Sequence, residues 1–346
     1  MRAVVLRGWD DLAVEEIPVP EPGPGEALVR VAGCGICGTD LKIVAGAYEG
    51  TWPPSFPFVL GHEWAGEVVA LGPGAEESGL RPGDRVAAEN HAGCGMCRNC
   101  RAGRYNLCER AGTPGYKLYG HTAQGALAEY AARPARLLHP LPEEVSDEAG
   151  ALVNQGALGV HAVRRTGLDP GSTAAVIGPG LLGLMTAQVA KASGASRTIV
   201  VGRGARLELA RELGVDEIVD YERSDPVEAL RELTGGRGPD RIYECSGDPR
   251  AVAQALAAVR RGGRVALLGL TGGKAAEIPP DALTLHEVDL MGIRSSPNAY
   301  PAMIELLATG AVRVEPLLTH VYPLERIRDA FEAFRTRTAV RPILRP

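Results

Sequence analysis

Short apolar runs separated by glycine and proline mark the first 140 residues as strand-rich. Examples are the runs AVVLRG, EALVRVAG, GHEWAGEVVALG and GDRVAAEN. Apolar runs of this length that are bounded by turn residues are typical of strands rather than helices. The first part of the chain is therefore predicted to form a β-rich domain.

From about residue 156 the pattern changes to an alternation of helix and strand. Helical patterns such as GLLGLMTAQVAKASG and ARLELARELG alternate with apolar strand patterns such as TAAVIG, RTIVVG and RVALLGL. Strands that alternate with helices of this length indicate a parallel, doubly wound sheet. Residues 156–295 are predicted to form this second domain.

The last 50 residues follow neither pattern for long. After DLMGIRSS a helical pattern returns, and the chain ends in the apolar run RPILRP. We expect this last run to be a strand that rejoins the first domain. The prediction is thus a two-domain α/β protein, with residues 1–155 and 296–346 in one domain and 156–295 in the other, as the length of 346 residues favours.

Composition narrows the possible functions. The chain is 45% hydrophobic, has a net charge of −5 and contains no basic cluster, which argues against a nucleic-acid partner. No run of about 18 apolar residues offers a membrane span, and no signal peptide is evident at the start. We therefore expect a cytoplasmic protein with a small-molecule partner.

Four cysteines form a tight cluster in the segment GCGMCRNCRAGRYNLC, within the lobe 90–112. They are Cys94, Cys97, Cys100 and Cys108, separated by two, two and seven residues. Thiolates at such spacing can close an all-sulfur tetrahedral shell, which suits structural Zn²⁺. The alternative is a pair of disulfides, which needs an oxidising compartment and would leave three further cysteines.

A glycine motif follows the predicted strand TAAVI and opens the next helix. It runs Gly178-Pro179-Gly180-Leu181-Leu182-Gly183. In this context the first glycine permits a tight turn, the second lets the backbone approach a pyrophosphate, and the third allows close helix–strand packing. The free N–H groups at the helix start then favour the phosphates of a dinucleotide.

The end of the next strand indicates which dinucleotide is bound. NAD-binding units carry an acid there, about 20 residues past the glycines, that binds the ribose 2′-hydroxyl. This chain has Gly202 followed by Arg203, with Arg206 close behind. A missing acid and a guanidinium favour a 2′-phosphate, so NADP(H) is predicted in preference to NAD(H). The alternative is a solvated Arg203 in an NAD-dependent protein.

Two segments of the strand-rich part carry further metal-binding chemistry. One is GICGTD, which contains Cys37, and the other is GHE, which contains His62. A thiolate and an imidazole brought together by the fold could hold a second zinc with an open position. Taken singly, Cys37 is better explained as a buried thiol and His62 as a core histidine.

These motifs, in this order, resemble the zinc-dependent medium-chain dehydrogenase/reductase family, nearest to its polyol and threonine dehydrogenase branches. The resemblance extends over essentially the whole chain. It implies a GroES-like catalytic domain that carries the structural zinc lobe, a Rossmann dinucleotide-binding domain, and a homo-oligomer, with a tetramer expected.

The resemblance also implies roles for individual residues. Cys37 and His62 match the catalytic zinc ligands, and Glu63 matches an acid that can enter or leave the metal shell. Asp40 matches a carboxylate that orients the ligand histidine, and Thr39 matches the hydroxyl that carries the substrate proton away. Tyr221 and Arg341 match positions near the 2′-phosphate in NADP-dependent relatives, and His91 matches a substrate-side histidine.

One position departs from the family pattern. The third zinc ligand is expected to be Glu, Asp or Cys at the start of the interdomain helix, where this chain has Asn154. A neutral amide is a poorer zinc ligand than a carboxylate. Three outcomes remain open: Asn154 binds weakly, Glu63 completes the shell, or the catalytic zinc is loose or absent.

The function expected from the resemblance is reversible hydride transfer between a secondary alcohol of a polyol, sugar or amino alcohol and NADP, with the ketone as product. One alternative is an NADPH-dependent reductase without a functional catalytic zinc. Another, of a different class, is a non-catalytic nucleotide-binding scaffold that keeps only the structural zinc.

Overall fold

The computed structural model describes residues 1–113 and 115–346. The chain forms two compact units. The first contains Met1–Asn154 and Leu317–Pro346, and the second contains Gln155–Pro316.

The first segment of the chain is mainly strands. These are β1 (Arg2–Gly8), β2 (Asp11–Glu16), β3 (Glu26–Gly35), β4 (Phe58–Val59), β5 (Trp64–Leu71), β6 (Arg85–Ala88), β7 (His91–Ala92), β8 (Lys117–Leu118), β9 (Tyr130–Pro134) and β10 (Leu138–Pro140). Its helices are α1 (Gly38–Val44), α2 (Arg98–Arg101) and α3 (Asp147–Ala151), and α4 (Val153–Thr166) begins at its end.

The second unit alternates strand and helix, as the sequence predicts. Its strands are β11 (Thr173–Ile177), β12 (Arg197–Gly202), β13 (Glu217–Asp220), β14 (Arg241–Glu244), β15 (Arg264–Leu267) and β16 (Asp289–Gly292). Its further helices are α5 (Leu181–Ala192), α6 (Ala205–Glu212), α7 (Pro226–Glu232), α8 (Pro249–Ala258), α9 (Pro280–His286) and α10 (Tyr300–Ala308).

The last segment returns to the first unit with β17 (Val321–Pro323), α11 (Ile327–Arg335) and β18 (Ile343–Arg345). In the largest sheet of this unit the strand order is β10-β6-β5-β3-β18-β17, and β9 also pairs with β3. β18 pairs antiparallel with β3, and Leu344 lies opposite Cys34. The prediction that the final apolar run is a strand of the first domain is confirmed.

The sheet of the second unit has the order β13-β12-β11-β14-β15-β16, and every neighbouring pair is parallel. Ala174 to Ile177 of β11 are all buried, because helices cover both faces of such a sheet. This explains why the strand reads as an unbroken apolar run. The doubly wound sheet is confirmed.

The division between the units differs from the predicted boundary at residue 295. Residues 296–316 lie in the second unit. Arg164 of α4 donates to the carbonyl oxygen of Asn298, and the side chain of Gln188 in α5 accepts from the N–H of Arg313 at 2.8 Å. These side-chain bonds fix the segment to α4 and α5, and the apolar pattern of the sequence does not reveal them.

Within the described residues, no helix combines the length and the apolar character that a bilayer crossing requires.

Candidate functional site

Four sulfur atoms meet in the lobe that the sequence predicts as a zinc site. The Sγ atoms of Cys94, Cys97, Cys100 and Cys108 lie within 4.8 Å of one another. Cys94 Sγ is 3.9 Å from Cys100 Sγ, and Cys97 Sγ is 4.0 Å from Cys108 Sγ. A tetrahedral zinc–sulfur shell has edges of about 3.8 Å, because each Zn–S bond is about 2.3 Å long. The separations match such edges and are about twice a disulfide bond.

Backbone N–H groups point at these sulfur atoms. The N–H groups of Cys97 and Cys100 donate to the Sγ atoms of Cys94 and Cys97, each at 3.4 Å. Hydrogen bonds from the N–H groups of Met96 and Cys97 lower the pKa of Cys94 to about 6. The backbone therefore stabilises the thiolate of Cys94, and the thiolate is the form that binds metal.

The cysteine lobe is attached to the first unit by a polar and an apolar contact. The Tyr105 hydroxyl donates to Oε2 of Glu89, a buried residue, at 3.0 Å. Cys108 forms a small buried cluster with Tyr116 and Leu118, and Trp52 packs against this cluster. The lobe thus supports the segment that carries Trp52.

Cys37, His62 and Glu63 form a second cluster in the same unit. One ligand atom from each lies within 4.8 Å of the other two. Cys37 stands immediately before α1, and the His62-Glu63 pair immediately precedes β5. The N–H of Gly35, at the end of β3, donates to the Glu63 carbonyl oxygen at 2.7 Å, and this backbone bond holds the two segments together.

Asp40 links the start of α1 to the histidine. Its Oδ2 accepts from the Cys37 N–H at 2.8 Å, and its Oδ1 lies 3.3 Å from His62 Nδ1. A carboxylate at Nδ1 fixes the ring and directs Nε2 towards a metal. Thr39 Oγ1 is 3.8 Å from Cys37 Sγ, so the hydroxyl stands beside the cluster.

The electrostatics of this cluster favour a cation. Burial lowers the pKa of His62, but the negative charges of Asp40 and Cys37 outweigh burial, and the pKa lies well above its ordinary value. His62 is 4% exposed and Glu63 is fully buried. Buried negative groups need a compensating cation, and a metal ion can supply that charge.

Arg341 lies beside Glu63. Its Nε is 3.5 Å from Glu63 Oε2, and its Nη1 donates to the carbonyl oxygen of Ile36 at 2.6 Å. The guanidinium is buried in the first unit, where it faces a carboxylate of the candidate metal site. The sequence-based prediction placed Arg341 near a 2′-phosphate and did not reveal this ion pair.

Asn154 lies beside the same site. Its Nδ2 donates to the carbonyl oxygen of His62 at 3.0 Å. The amide nitrogen therefore supports the backbone of the histidine, while Glu63 is the carboxylate that joins Cys37 and His62.

The structure explains each glycine of the motif between β11 and α5. Gly178 has a φ of 108°, and a Cβ there would lie 2.9 Å from the Ser246 nitrogen. A Cβ on Gly183 would overlap the carbonyl oxygen of Gly178, so helix and turn touch without space for a side chain. Gly180 precedes α5, whose first residues are Leu181 and Leu182, and the N–H groups there lack helical partners.

The end of β12 has no space for a side chain. A Cβ on Gly202 would overlap the ring of Pro179. Arg203 is half exposed, its Nη1 lies 2.8 Å from Glu222 Oε1, and its guanidinium lies 5.9 Å from the centre of the Tyr221 ring. A Cβ built on Gly180 would lie 3.9 Å from Arg206 Nη1. Arg203 and Arg206 therefore both belong to the surroundings of the glycine turn.

Sequence reasoning missed an aromatic row next to the candidate metal site. The ring centre of His121 lies 4.5 Å from that of His62 and 4.8 Å from that of Trp52, and the Trp52 and Tyr48 ring centres are 4.8 Å apart. A signal was present, because His121 stands in YGHTAQG between glycines.

The side chains of His91, Cys34 and Cys245 are buried or half-buried. His91 is 3% exposed and its Nδ1 lies 3.0 Å from Asn90 Oδ1, so it is not a surface histidine. Burial raises the pKa of both Cys34 and Cys245, which are thiols of the interior.

Both halves of the chain match models of known families. Residues 23–143 match the alcohol dehydrogenase GroES-like domain, and residues 182–309 match the zinc-binding dehydrogenase domain.

Whole-chain relatives agree with these matches. Sorbitol dehydrogenase from Bacillus subtilis is 37% identical over 96% of this chain and 93% of its own. A zinc-binding dehydrogenase from Sinorhizobium meliloti, solved with NADP, superposes with a TM-score of 0.92 at 32% identity over 100% of this chain and 99% of its own. An alcohol dehydrogenase from Escherichia coli CFT073, solved with NADH, superposes with a TM-score of 0.91 at 27% identity. The match covers 100% of this chain and 99% of that chain.

A Rossmann unit and a GroES-like unit with zinc-binding chemistry define an alcohol dehydrogenase, and this protein is such an oxidoreductase. The chain belongs to the zinc-dependent medium-chain alcohol dehydrogenase family, in its polyol branch.

Proposed function

We propose that this enzyme transfers a hydride reversibly between a secondary alcohol of a polyol, sugar or amino alcohol and NADP, with a catalytic zinc in the Cys37 site. The observation that supports this most strongly is the convergence of Cys37, His62 and Glu63 on one point, with Asp40 behind the histidine.

The donor set fits a zinc ion. Thiolate, imidazole and carboxylate are the three ligand types of zinc, with ligand–ligand edges of about 3.3–3.8 Å. The observed atoms, all within 4.8 Å of one another, need only small shifts to reach these edges. Three protein donors leave the fourth position of a tetrahedral ion open for a substrate oxygen.

When bound, zinc lowers the pKa of the substrate hydroxyl, and the nicotinamide accepts the hydride. Cys37, His62 and Glu63 would hold the metal, and Asp40 would keep His62 in the tautomer that directs Nε2 towards it. Thr39, beside Cys37, would receive the proton of the substrate hydroxyl. Arg341, whose Nε lies 3.5 Å from Glu63 Oε2, would compensate part of the charge of that carboxylate.

Asn154 would act on the metal through His62 rather than as a strong ligand. Its amide nitrogen donates to the His62 carbonyl oxygen, whereas Glu63 supplies the charged oxygen that zinc prefers. This assignment replaces the family's usual third ligand with the neighbouring acid and keeps the zinc-dependent reaction.

A second zinc would be structural. Four thiolates at tetrahedral spacing leave no position for a substrate, so the lobe site would stabilise the fold and not take part in the reaction. Free thiols are kept reduced in the cytoplasm, which is the location we propose.

NADP(H) is the proposed cofactor. Gly202 excludes the acid that would repel a 2′-phosphate, and Arg203 and Arg206 supply positive charge near the glycine turn. Tyr221, half exposed under Arg203, offers a ring on that side. Relatives bound to NADP and to NADH share this fold, so the choice depends on these residues.

The decisive experiment combines metal analysis with an alcohol screen. We expect about two zincs per chain and a higher kcat/KM with NADP than with NAD on secondary polyols. Cys37→Ala should leave about one zinc, abolish turnover and keep nucleotide binding. One zinc in the wild type, with turnover that Cys37→Ala does not reduce, would favour a zinc-free reductase. One zinc without any turnover would favour a nucleotide-binding scaffold.

We also propose a homo-oligomer, and in particular a tetramer, by analogy with the family. Light scattering at micromolar concentration measures this directly, and a monomer would contradict it.

A further inference from the structure

The second unit has a cleft between its helices α7, α8 and α9, away from both candidate metal sites. Its volume is about 730 Å³, and all of its lining residues lie between positions 231 and 286, within that unit. Sites that bind small molecules usually have volumes of about 300–1,000 Å³. The cleft is therefore large enough for a small ligand.

The cleft lies at the amino ends of the parallel strands. Arg237 precedes β14 and Arg261 precedes β15, and both line the cleft. Gly178 and Gly202, in contrast, mark the carboxyl ends of β11 and β12. Because these strands are parallel, the two pairs of residues lie at opposite edges of the sheet. Dinucleotides bind at the carboxyl edge, so the cleft is separate from the expected nucleotide site.

Part of the lining is apolar. Leu256 and Val259, in and after the last turn of α8, are each 8% exposed. Ala257 is exposed and has a small side chain, and Ile278 is 40% exposed. A ligand that covers the Ile278 side chain removes apolar surface from water, which is favourable. This part of the cleft therefore suits the apolar body of a ligand.

The charged part of the lining is mainly positive, although the whole chain has a net charge of −5. Arg231, Arg237 and Arg261 contribute three guanidinium groups. Glu277 supplies the one carboxylate among the described lining residues. Nη2 of Arg231 donates to the Ala257 carbonyl oxygen at 2.7 Å, so this guanidinium is already bonded to α8. The excess of positive charge favours an anionic ligand.

Arg237 and Arg261 are the two guanidinium groups that remain for a ligand. Both residues are exposed, and neither side chain has a hydrogen bond or an ion pair within the part of the chain that the structure describes. The planar fork of a guanidinium matches the two oxygens of a carboxylate. Glu277 in the same cleft opposes a second negative charge on the ligand. A single carboxylate is thus the head group that fits best.

We propose that this cleft binds a small aliphatic carboxylate, whose charged head lies on Arg237 and Arg261 and whose alkyl chain covers Leu256 and Ile278. The inference goes beyond the proposed function and does not depend on it, because the cleft shares no residue with the candidate metal sites or the glycine turn. Carboxylate and nucleotide would bind at the same time, since their sites lie at opposite edges of the sheet.

The test titrates octanoate and octanamide into the full-length protein by calorimetry, with and without saturating NADPH. The two ligands have the same alkyl chain and differ in the charge of the head group. We expect one octanoate per chain with a Kd of about 1 mM or lower, and octanamide at least about five-fold weaker. NADPH should leave the Kd of octanoate almost unchanged.

Variants assign the bound ligand to the cleft. Arg237→Gln and Arg261→Gln should each raise the Kd of octanoate about five-fold or more, because each removes a charge-assisted hydrogen bond. Ala257→Trp should fill the cleft and prevent binding of both ligands. Arg211→Gln, which makes the same charge change on α6, is the matched control and should leave the Kd almost unchanged. The melting temperature shows whether each variant is folded.

No octanoate binding by the folded wild type would overturn the proposal, and so would octanamide binding as tight as that of octanoate. A Kd that Arg237→Gln, Arg261→Gln and Ala257→Trp all leave unchanged would place the ligand elsewhere and would also overturn it. The same holds if Arg211→Gln weakens octanoate as much as the cleft variants do, or if NADPH displaces octanoate.

Discussion

Single residues at the end of β12 determine the surroundings of the proposed ribose site. Pro179 of the glycine turn occupies the space into which a side chain on Gly202 would extend. Arg203 is paired with Glu222 across the exposed surface. An incoming 2′-phosphate would therefore compete with Glu222 for the same guanidinium.

This competition predicts opposite effects of two substitutions on the affinity for NADPH. Arg203→Ala should raise the Kd of NADPH roughly 10- to 100-fold and leave that of NADH almost unchanged. Glu222→Gln should lower the Kd of NADPH, because it removes both the competitor and a negative charge. Fluorescence titration with the two nucleotides measures both. An Arg203→Ala protein that binds NADPH as tightly as the wild type would disprove the assignment.

Asn154 is the residue at which the proposed catalytic zinc could be bound more tightly. Asn154→Asp keeps the size of the side chain and replaces the neutral amide by a carboxylate, which zinc prefers. Zinc release to a chelator should be slower than in the wild type. The zinc-free variant should melt at a lower temperature, because the carboxylate can no longer donate to the His62 carbonyl oxygen. Faster zinc release from a folded variant would show that Asn154 faces away from the metal.

At the scale of elements, the contact between β11 and α5 depends on a pair of glycines. Gly183 lies in the first turn of α5 against the carbonyl oxygen of Gly178. Any side chain there would push the start of the helix away from the strand. The N–H groups that we expect to face the nucleotide phosphates would move with it.

Gly183→Ala should therefore weaken both nucleotides alike and lower the stability of the second unit by about 1–3 kcal/mol. The zinc content should stay at the wild-type value, which we expect to be about two per chain, because both candidate metal sites lie in the first unit. Gly8→Ala, where a Cβ meets nothing within 4 Å, is the control. Calorimetric melting and nucleotide titration check the result, and unchanged nucleotide binding would contradict it.

Elements were predictable where one local pattern determines them. β11 is buried on both faces and so reads as an apolar run, and the cysteine spacing lies within one short lobe. His121 was not predictable in this way, because its partner His62 is distant in sequence and only the backbone pairing near Gly125 brings them together. The extent of the second unit was missed for a similar reason, since hydrogen bonds such as that from Arg164 to Asn298 leave no periodic signal.

At the scale of the whole molecule, the cysteine lobe is a small region without a large core of its own. Its buried cluster consists of Cys108, Tyr116 and Leu118, and Tyr105 ties it to Glu89. So few apolar side chains do not hold a lobe in place without a metal.

Cys100→Ser should remove about one zinc per chain and lower the melting temperature, because three thiolates cannot close the shell. Ser78→Cys, which adds a thiol outside the lobe 90–112, should not raise the zinc content above about two. Metal analysis and scanning calorimetry report the outcome. A Cys100→Ser protein with full zinc content and an unchanged melting temperature would refute the structural role.

Trp52 contacts two separate groups of residues. It packs against the cluster around Cys108, and it contacts His121 in the aromatic row. Loss of metal from the lobe would therefore remove the support behind Trp52, whose ring contacts His121 beside the candidate metal site. Mild oxidation of the lobe thiols would then disturb the neighbourhood of His62 through Trp52 and His121, so an ion that takes no part in the reaction would still influence the site at which the reaction is proposed.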